Sequence, residues 1–323
     1  MMKTKIIITI FSASLLFAAS IFAAPRGDEK LPVYKKTGTV SGTINSIGSD
    51  TMNNLMTLWA EAFAKFHPGV KVQVEGKGSS TAPPALIAGT SQFGPMSRAM
   101  KNEEVDKFEK KFGYKPTAIK TSIDALAVYV NKDNPIKSLS LQHVDAIFSK
   151  TRRGNHTEDI QNWGQAGLTG IWAQKPISLY GRNSASGTYG YFKKTALFKG
   201  DYKNTVKEQP GSASVVQGIT EDKFGIGYSG IGYITSGVRA IALSKKTGEP
   251  AFGPEIENVM AKKYPLARFL YLYVNKTPGK NLSPLTHEFL KFVLSKQGQE
   301  IVVKDGYMPL SAKIIQDELS ALQ

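Results

Sequence analysis

The sequence predicts an α/β fold divided into two lobes, and three observations carry that prediction. From Val40 onward, strand-like and helix-like segments alternate, the order that builds parallel strands with helices on both faces. Two similar strands, Ala127-Val128-Tyr129-Val130-Asn131-Lys132 and Tyr271-Leu272-Tyr273-Val274-Asn275-Lys276, stand far apart in the chain, and a proline turn follows each at Pro135 and Pro278. Finally, 323 residues of which 41% are apolar suffice to bury a core in one large domain or two ordinary ones.

Taken in order, residues 1–24 read as an export signal. Lys3 and Lys5 give the positive start, residues 6–22 the apolar stretch, and Ala23-Ala24 the small residues of a cleavage site. The rival reading, a membrane anchor, needs a longer uninterrupted apolar run. An exported, periplasmic protein is therefore expected. Residues 25–37 are polar and charged and predict a flexible leader. Residues 39–47 predict a first strand. Residues 49–66 predict an amphipathic helix, because Leu55, Leu58, Trp59, Ala62, Phe63 and Phe66 recur at steps of three and four; Ser49 or Asp50 can cap it, and His67-Pro68-Gly69 ends it. Residues 70–75 predict a strand, 82–88 a short helix opened by Pro83-Pro84, and Phe93 the start of a further strand. Helices are predicted at 284–296 and 312–322. If the two Val-Asn-Lys strands are paired crossings between lobes, lobe I comprises 38–123 and 268–323, lobe II comprises 124–267, and the hinge runs through 127–132 and 271–276.

Composition excludes several chemistries. With no cysteine there is no disulfide, thiolate metal site, thiol nucleophile or lipid-anchoring cysteine. The formal charge is +15, of which Lys3 and Lys5 of the export signal account for two, leaving +13. Such an excess attracts anions generally. The clusters at Lys150 to Arg153, Lys193-Lys194 and Lys262-Lys263 are short and lie in no recognisable nucleic-acid module, so no nucleic-acid partner is expected. His67, His143, His156 and His287 have no partners at metal-ligand spacing, and neither a metal nor any other cofactor is expected. No G-x-S-x-G elbow or Walker loop occurs, and nothing pairs a nucleophile with a base, so no catalytic residue is assigned. Residues 225–230 match G-x-G-x-x-G literally, but Glu221-Asp222-Lys223 precede them where a nucleotide site needs an apolar strand.

Three turns rich in Gly, Ser and Thr stand where a strand gives way to a helix: Gly48-Ser49-Asp50-Thr51, Gly76 to Thr81, and Gly181 to Thr188. Each offers unpaired backbone N–H groups, hydroxyl donors and the positive end of a helix dipole. Singly each is ordinary capping; together they point to an anion site at the carboxyl ends of the strands. Arg182 adds a planar fork of donors suited to a tetrahedral oxyanion. Ser97 brings another hydroxyl. For Arg98 two readings stay open, a second guanidinium at the same edge or a solvent-facing salt bridge.

Gly48-Ser49-Asp50-Thr51, Gly78-Ser79-Ser80, Phe93-Gly94 through Ser97-Arg98, and Arg182 through Gly187-Thr188 resemble the phosphate-binding proteins of ABC uptake transporters, the PstS type; Phe224 to Tyr228 is similar to a strand of that family's second lobe. The resemblance runs from about Gly42 to Leu310, and its most specific element is Arg182-x-x-x-Ser186-Gly187-Thr188. It implies a two-lobed type II periplasmic binding fold closing over a dehydrated oxyanion, with no enzymatic activity. It also implies phosphate-binding positions at Asp50, Thr51, Ser79, Ser97, Arg182, Ser186, Gly187 and Thr188, a monomer, and transient docking to a membrane permease. The best-known members place a proton-accepting aspartate where this chain has Ser97; here Asp50 in the first turn is the candidate acceptor, or it simply caps its helix. The alternatives are the same fold holding sulfate or a metal oxyanion, a basic adhesive protein binding polyanions, and a secreted phosphatase, which lacks metal ligands to support it.

Overall fold

The computed structural model describes residues 28–322; the export signal expected at 1–24 and the first residues of the leader lie outside them. The chain runs β1 (Gly42–Gly48), α1 (Asn53–Phe66), β2 (Val70–Gly76), α2 (Ala82–Ala88), β3 (Gly94–Met96), α3 (Asn102–Phe112) and the long strand β4 (Thr117–Asn131). It continues through β5 (Ser138–Ser140), α4 (Leu141–Phe148), β6 (Ser178–Arg182), α5 (Gly187–Thr195), β7 (Lys207–Gln209), α6 (Ser212–Glu221), β8 (Gly225–Gly230), β9 (Val238–Ala240), β10 (Ala242–Ser244) and α7 (Ile256–Met260). Strand β11 (Ala267–Val274) then leads to α8 (Pro284–Val293), α9 (Lys296–Lys304) and α10 (Ala312–Ser320).

Local chemistry sets these boundaries. Helix α1 buries Leu55, Met56, Trp59 and Phe63 on one face and stops at His67, the residue that Pro68 forces out of the helical region. Helix α2 begins with prolines in its first turn, where no N–H is needed, and ends at Gly89 in the left-handed conformation, φ 72°. The single helix predicted over 284–296 is two: the Ser295 hydroxyl caps Gly298 N–H and starts α9 afresh. Residues 225–230 form a fully buried strand, β8, not a nucleotide loop.

The parallel pairings follow the alternating pattern: β1 with β2, β6 with β7 and β8, and β5 with β10, while Ser46 pairs in parallel with Phe93. Antiparallel pairing enters through β4 and β11. Strand β4 pairs with β11 over Thr117 to Ala125, then with β8 and β9 over Leu126 to Asn131, so one strand serves both lobes. This corrects the predicted crossing. Because β4 and β11 run in opposite directions, their similar Val-Asn-Lys ends lie at opposite ends of the sheet: Tyr129 faces Gly227 and Ala240, whereas Tyr273 faces Ala118 and Gly94. The pairing of β4 with β11 runs from Thr117 opposite Val274 to its end at Asp124 opposite Arg268 and Ala125 opposite Ala267.

Residues 28–37, expected to be a flexible leader, are docked. Leu31 and Tyr34 are buried, and the Tyr34 hydroxyl donates to Glu288 Oε1 at 2.9 Å and lies 2.7 Å from His67 Nε2. The leader's polar composition hid two apolar anchors. His67 is thus a core histidine, while His143 and His156, read as isolated, face each other with ring centroids 4.9 Å apart.

Candidate functional site

The three turns converge. In the first, Ser49 makes no capping bond with its side chain, and neither does Asp50, which reaches across to the start of α6. One carboxylate oxygen, Oδ1, accepts from Ser212 N at 2.8 Å and Ser212 Oγ at 2.9 Å and lies 3.0 Å from Arg182 Nη1. Thr51 is buried, with its Oγ1 2.9 Å from Thr188 Oγ1 in the third turn.

In the second turn Gly78 has φ 125°, and a Cβ there would come within 2.5 Å of the Ala185 carbonyl oxygen, so glycine is needed for both conformation and approach. The approach lets Ser80 N–H donate to Ala185 O at 3.1 Å. Ser79 is buried; its Oγ accepts from Ser97 N at 3.0 Å and lies 3.3 Å from Ser97 Oγ. A Cβ on Gly187 would lie 2.3 Å from Ser79 Oγ and 2.7 Å from Ser97 Oγ. The second turn, the strand β3 exit and the start of α5 therefore share one point. Ser186 caps α5 by accepting from Thr188 N and Tyr189 N, which leaves its own hydroxyl proton available.

Arg182, at the end of β6, is 1% exposed. Its Nη1 donates to Ser212 Oγ at 2.7 Å and its Nη2 to Pro210 O at 3.0 Å, while Nε is buried with no partner among the described residues. Burial pulls its pKa down and the Asp50 charge works in the opposite sense. Its backbone N–H donates to Tyr228 OH at 3.3 Å.

The eight predicted residues thus lie in one cluster, seven of them buried and Asp50 half-buried. Arg98 does not join it by its guanidinium, whose Nη1 and Nη2 each lie 2.7 Å from Glu104; it forms a salt bridge, but at 9% exposure the pair is turned inward, not toward solvent. Sequence reasoning missed Ser212, Asp124 and Arg268. Ser212 follows Pro210-Gly211 and opens α6, a fourth turn of the kind already singled out. Arg268 Nε and Nη2 donate to Asp124 Oδ2 at 3.0 and 2.8 Å, and Nη2 also donates to Thr188 Oγ1 at 2.8 Å. The signal for that pair was an acid, Asp124, in the apolar run from Ile123 to Val130 of β4 and a single base, Arg268, in β11, a placement that pairing makes tolerable.

This arrangement gathers buried hydroxyls and guanidiniums with carboxylates as counter-ions. It can hold a small anion by hydrogen bonds. Comparison with known proteins fits that chemistry. Residues 35–297 match the PBP superfamily domain. The chain is 55% identical over 312 residues to the phosphate-binding protein PstS of Pseudomonas aeruginosa PAO1, covering 97% of this chain and 96% of that one, and 29% identical over 274 residues to protein SphX of Synechococcus elongatus, covering 84% and 78%. Among solved structures, a phosphate ABC transporter substrate-binding protein from Clostridium perfringens with bound phosphate superposes with a TM-score of 0.70 at 25% identity, covering 84% of this chain and 100% of that one. A phosphate transport receptor of Vibrio cholerae shares the fold, with a TM-score of 0.63 at 22% identity over 83% of this chain and 100% of that one. The chain therefore belongs to the PstS-type proteins of the periplasmic binding protein superfamily.

Proposed function

We propose that the chain captures inorganic phosphate between its two lobes and delivers it to an ABC permease, acting outside the cytoplasm as a monomeric binding protein without catalytic activity. The observation that carries this reading is Arg182: an almost fully buried guanidinium, pinned by Asp50 and Ser212, whose Nε has no partner among the described residues. A buried donor without a partner is costly unless a guest supplies the acceptor. In this reading Thr51, Ser79 and Ser97 donate from lobe I, taken as 38–123 with 268–323, and Arg182, Ser186, Gly187 and Thr188 from lobe II, taken as 124–267. The hinge is where β4 and β11 meet, at residues 124–126 and 266–268, not at 127–132 and 271–276.

Asp50 has two tasks here. Oδ1 is filled by three donors from lobe II, which orients Arg182 and ties the lobes. Oδ2 has no donor among the described residues and is the acceptor for the proton of hydrogen phosphate. A carboxylate oxygen gains a charge-assisted bond from P–OH and repels an oxyanion that carries no proton. Sulfate, fully ionised near neutral pH, meets that repulsion.

Isothermal titration of the leaderless protein with phosphate, sulfate and arsenate tests the assignment. One saturable site for phosphate, with sulfate bound far more weakly, is expected. Equal heats for phosphate and sulfate overturn the choice of ligand. Multisite binding that collapses with salt favours a polyanion binder instead.

A further inference from the structure

We propose that Arg268 is a second anion-binding arginine, carried on the crossing strand β11, held by Asp124 on β4, and donating to the guest beside Thr188; the proposal rests on phosphate occupying the cleft.

The argument begins with the shape of the guanidinium, whose five N–H donors form a planar fork with a side edge, Nε with Nη2, and an end edge, Nη1 with Nη2. The side edge is spent on Asp124 Oδ2, at 3.0 and 2.8 Å. The remaining Nη2 donor goes to Thr188 Oγ1, at 2.8 Å, so the end edge is the one facing Thr188. Nη1, the other nitrogen of that edge, is buried and has no partner among the described residues. Its open donors therefore lie next to a hydroxyl of the anion cluster. Among the described residues, two guanidinium nitrogens are left in this condition, Arg182 Nε and Arg268 Nη1, and both side chains belong to this cluster.

Arg268 also fixes the direction of a hydrogen-bond chain. Thr188 Oγ1 accepts from Nη2, so its single proton must go outward, to Thr51 Oγ1 at 2.9 Å or to the guest. If it goes to Thr51, the Thr51 proton is released to the guest in turn. Either way the two hydroxyls present a proton to an acceptor. Both Asp124 oxygens are engaged: Oδ2 takes the guanidinium and Oδ1 takes Ile231 N at 3.0 Å. Asp124 therefore serves as counter-ion, and the guest proton is assigned to Asp50, whose Oδ2 takes no donor among the described residues.

The location adds a mechanical consequence. Asp124 and Arg268 are register partners at the point where the lobes meet. A guest that engages Nη1 draws on the strand pair about which the lobes turn, so occupancy and closure are coupled there.

The test uses Arg268→Gln/Asp124→Asn, which removes both charges and puts two amides, the one at 268 shorter than arginine, in place of the ion pair. Calorimetry with inorganic phosphate is expected to show at least a tenfold loss of affinity, and the rise in Tm on adding phosphate is expected to shrink while the Tm without phosphate stays within a few degrees. A purely structural pair would move the second Tm and spare the affinity. Wild-type affinity in the double variant, beside a wild type that binds, overturns this proposal alone. A wild type that binds no phosphate overturns the functional reading and this proposal with it. Should the double variant fail to fold, Arg268→Lys keeps the charge and loses the fork; unchanged affinity in that variant is equally fatal.

Discussion

Arg182 is dry and still charged because its surroundings were built to accept it: Asp50 and Ser212 on one nitrogen, Pro210 O on another. Replacing it with alanine leaves Asp50 without its cation and removes the central donor. Breaking such a buried pair costs about 3–5 kcal/mol, and calorimetry on Arg182→Ala is expected to detect no phosphate binding at concentrations that saturate the wild type. Asp50→Asn asks a narrower question. The amide retains an acceptor for Ser212 but offers no carboxylate to P–OH, so the preference for phosphate over sulfate is expected to fall by tenfold or more in competition titrations; an unchanged preference returns Asp50 to a purely orienting role. Gly187→Ala is informative in a different way. Its added methyl would meet Ser79 and Ser97, which the proposed division puts on the facing lobe, so the clash is expected on closure. Overpacking of this kind costs about 1–3 kcal/mol, and it is expected in the phosphate-induced Tm rise, with little change in Tm without ligand. Much of this was legible at the residue scale, because Gly, Ser, Thr and Arg in a strand-to-helix turn announce donors. The partners of those donors were not: Asp50 read as a proton acceptor or as a cap of its own helix, whereas its contacts come from Ser212 and Arg182, far along the chain.

At the scale of elements, amphipathic periodicity located α1 and α2 and their proline and glycine boundaries, since these depend on neighbours in sequence. It failed at the junction of α8 and α9, where apolar spacing continues through Leu294 while the Ser295 hydroxyl begins a new helix. Ser295→Ala is expected to cost about 1 kcal/mol, the usual worth of such a cap, as a drop in the urea midpoint with an unchanged m-value. The pairing of the Val-Asn-Lys strands failed for a related reason. Similar residues make similar strands, but which edges meet depends on direction, and direction is a property of the topology. Residues 28–37 show the same limit, since Leu31 and Tyr34 count for little in composition and are decisive in packing.

For the whole molecule, one ionisable group ties stability to pH. The carboxyl of Asp305, at the end of α9, accepts from Asn54, and burial pushes its pKa up to about 6. Between the ordinary aspartate value and that point the folded chain holds a proton that the unfolded chain has released, so this contribution to stability is lost as pH rises through the window. Asp305→Asn is expected to raise Tm above the wild type at pH 7.5, with the difference vanishing near pH 4; parallel melts across that range check it.

Strand β4 belongs to both halves of the protein without a break. Neither half can be excised as an independent unit, because a cut anywhere in residues 117–131 strips hydrogen-bonding neighbours from the portion that remains. Chimeras that exchange binding faces with a relative must therefore carry the whole strand together with β8 and β11. During synthesis, β4 stays without its β11 neighbour until the ribosome has passed Val274, so native architecture is completed late, by contacts between distant parts of the chain.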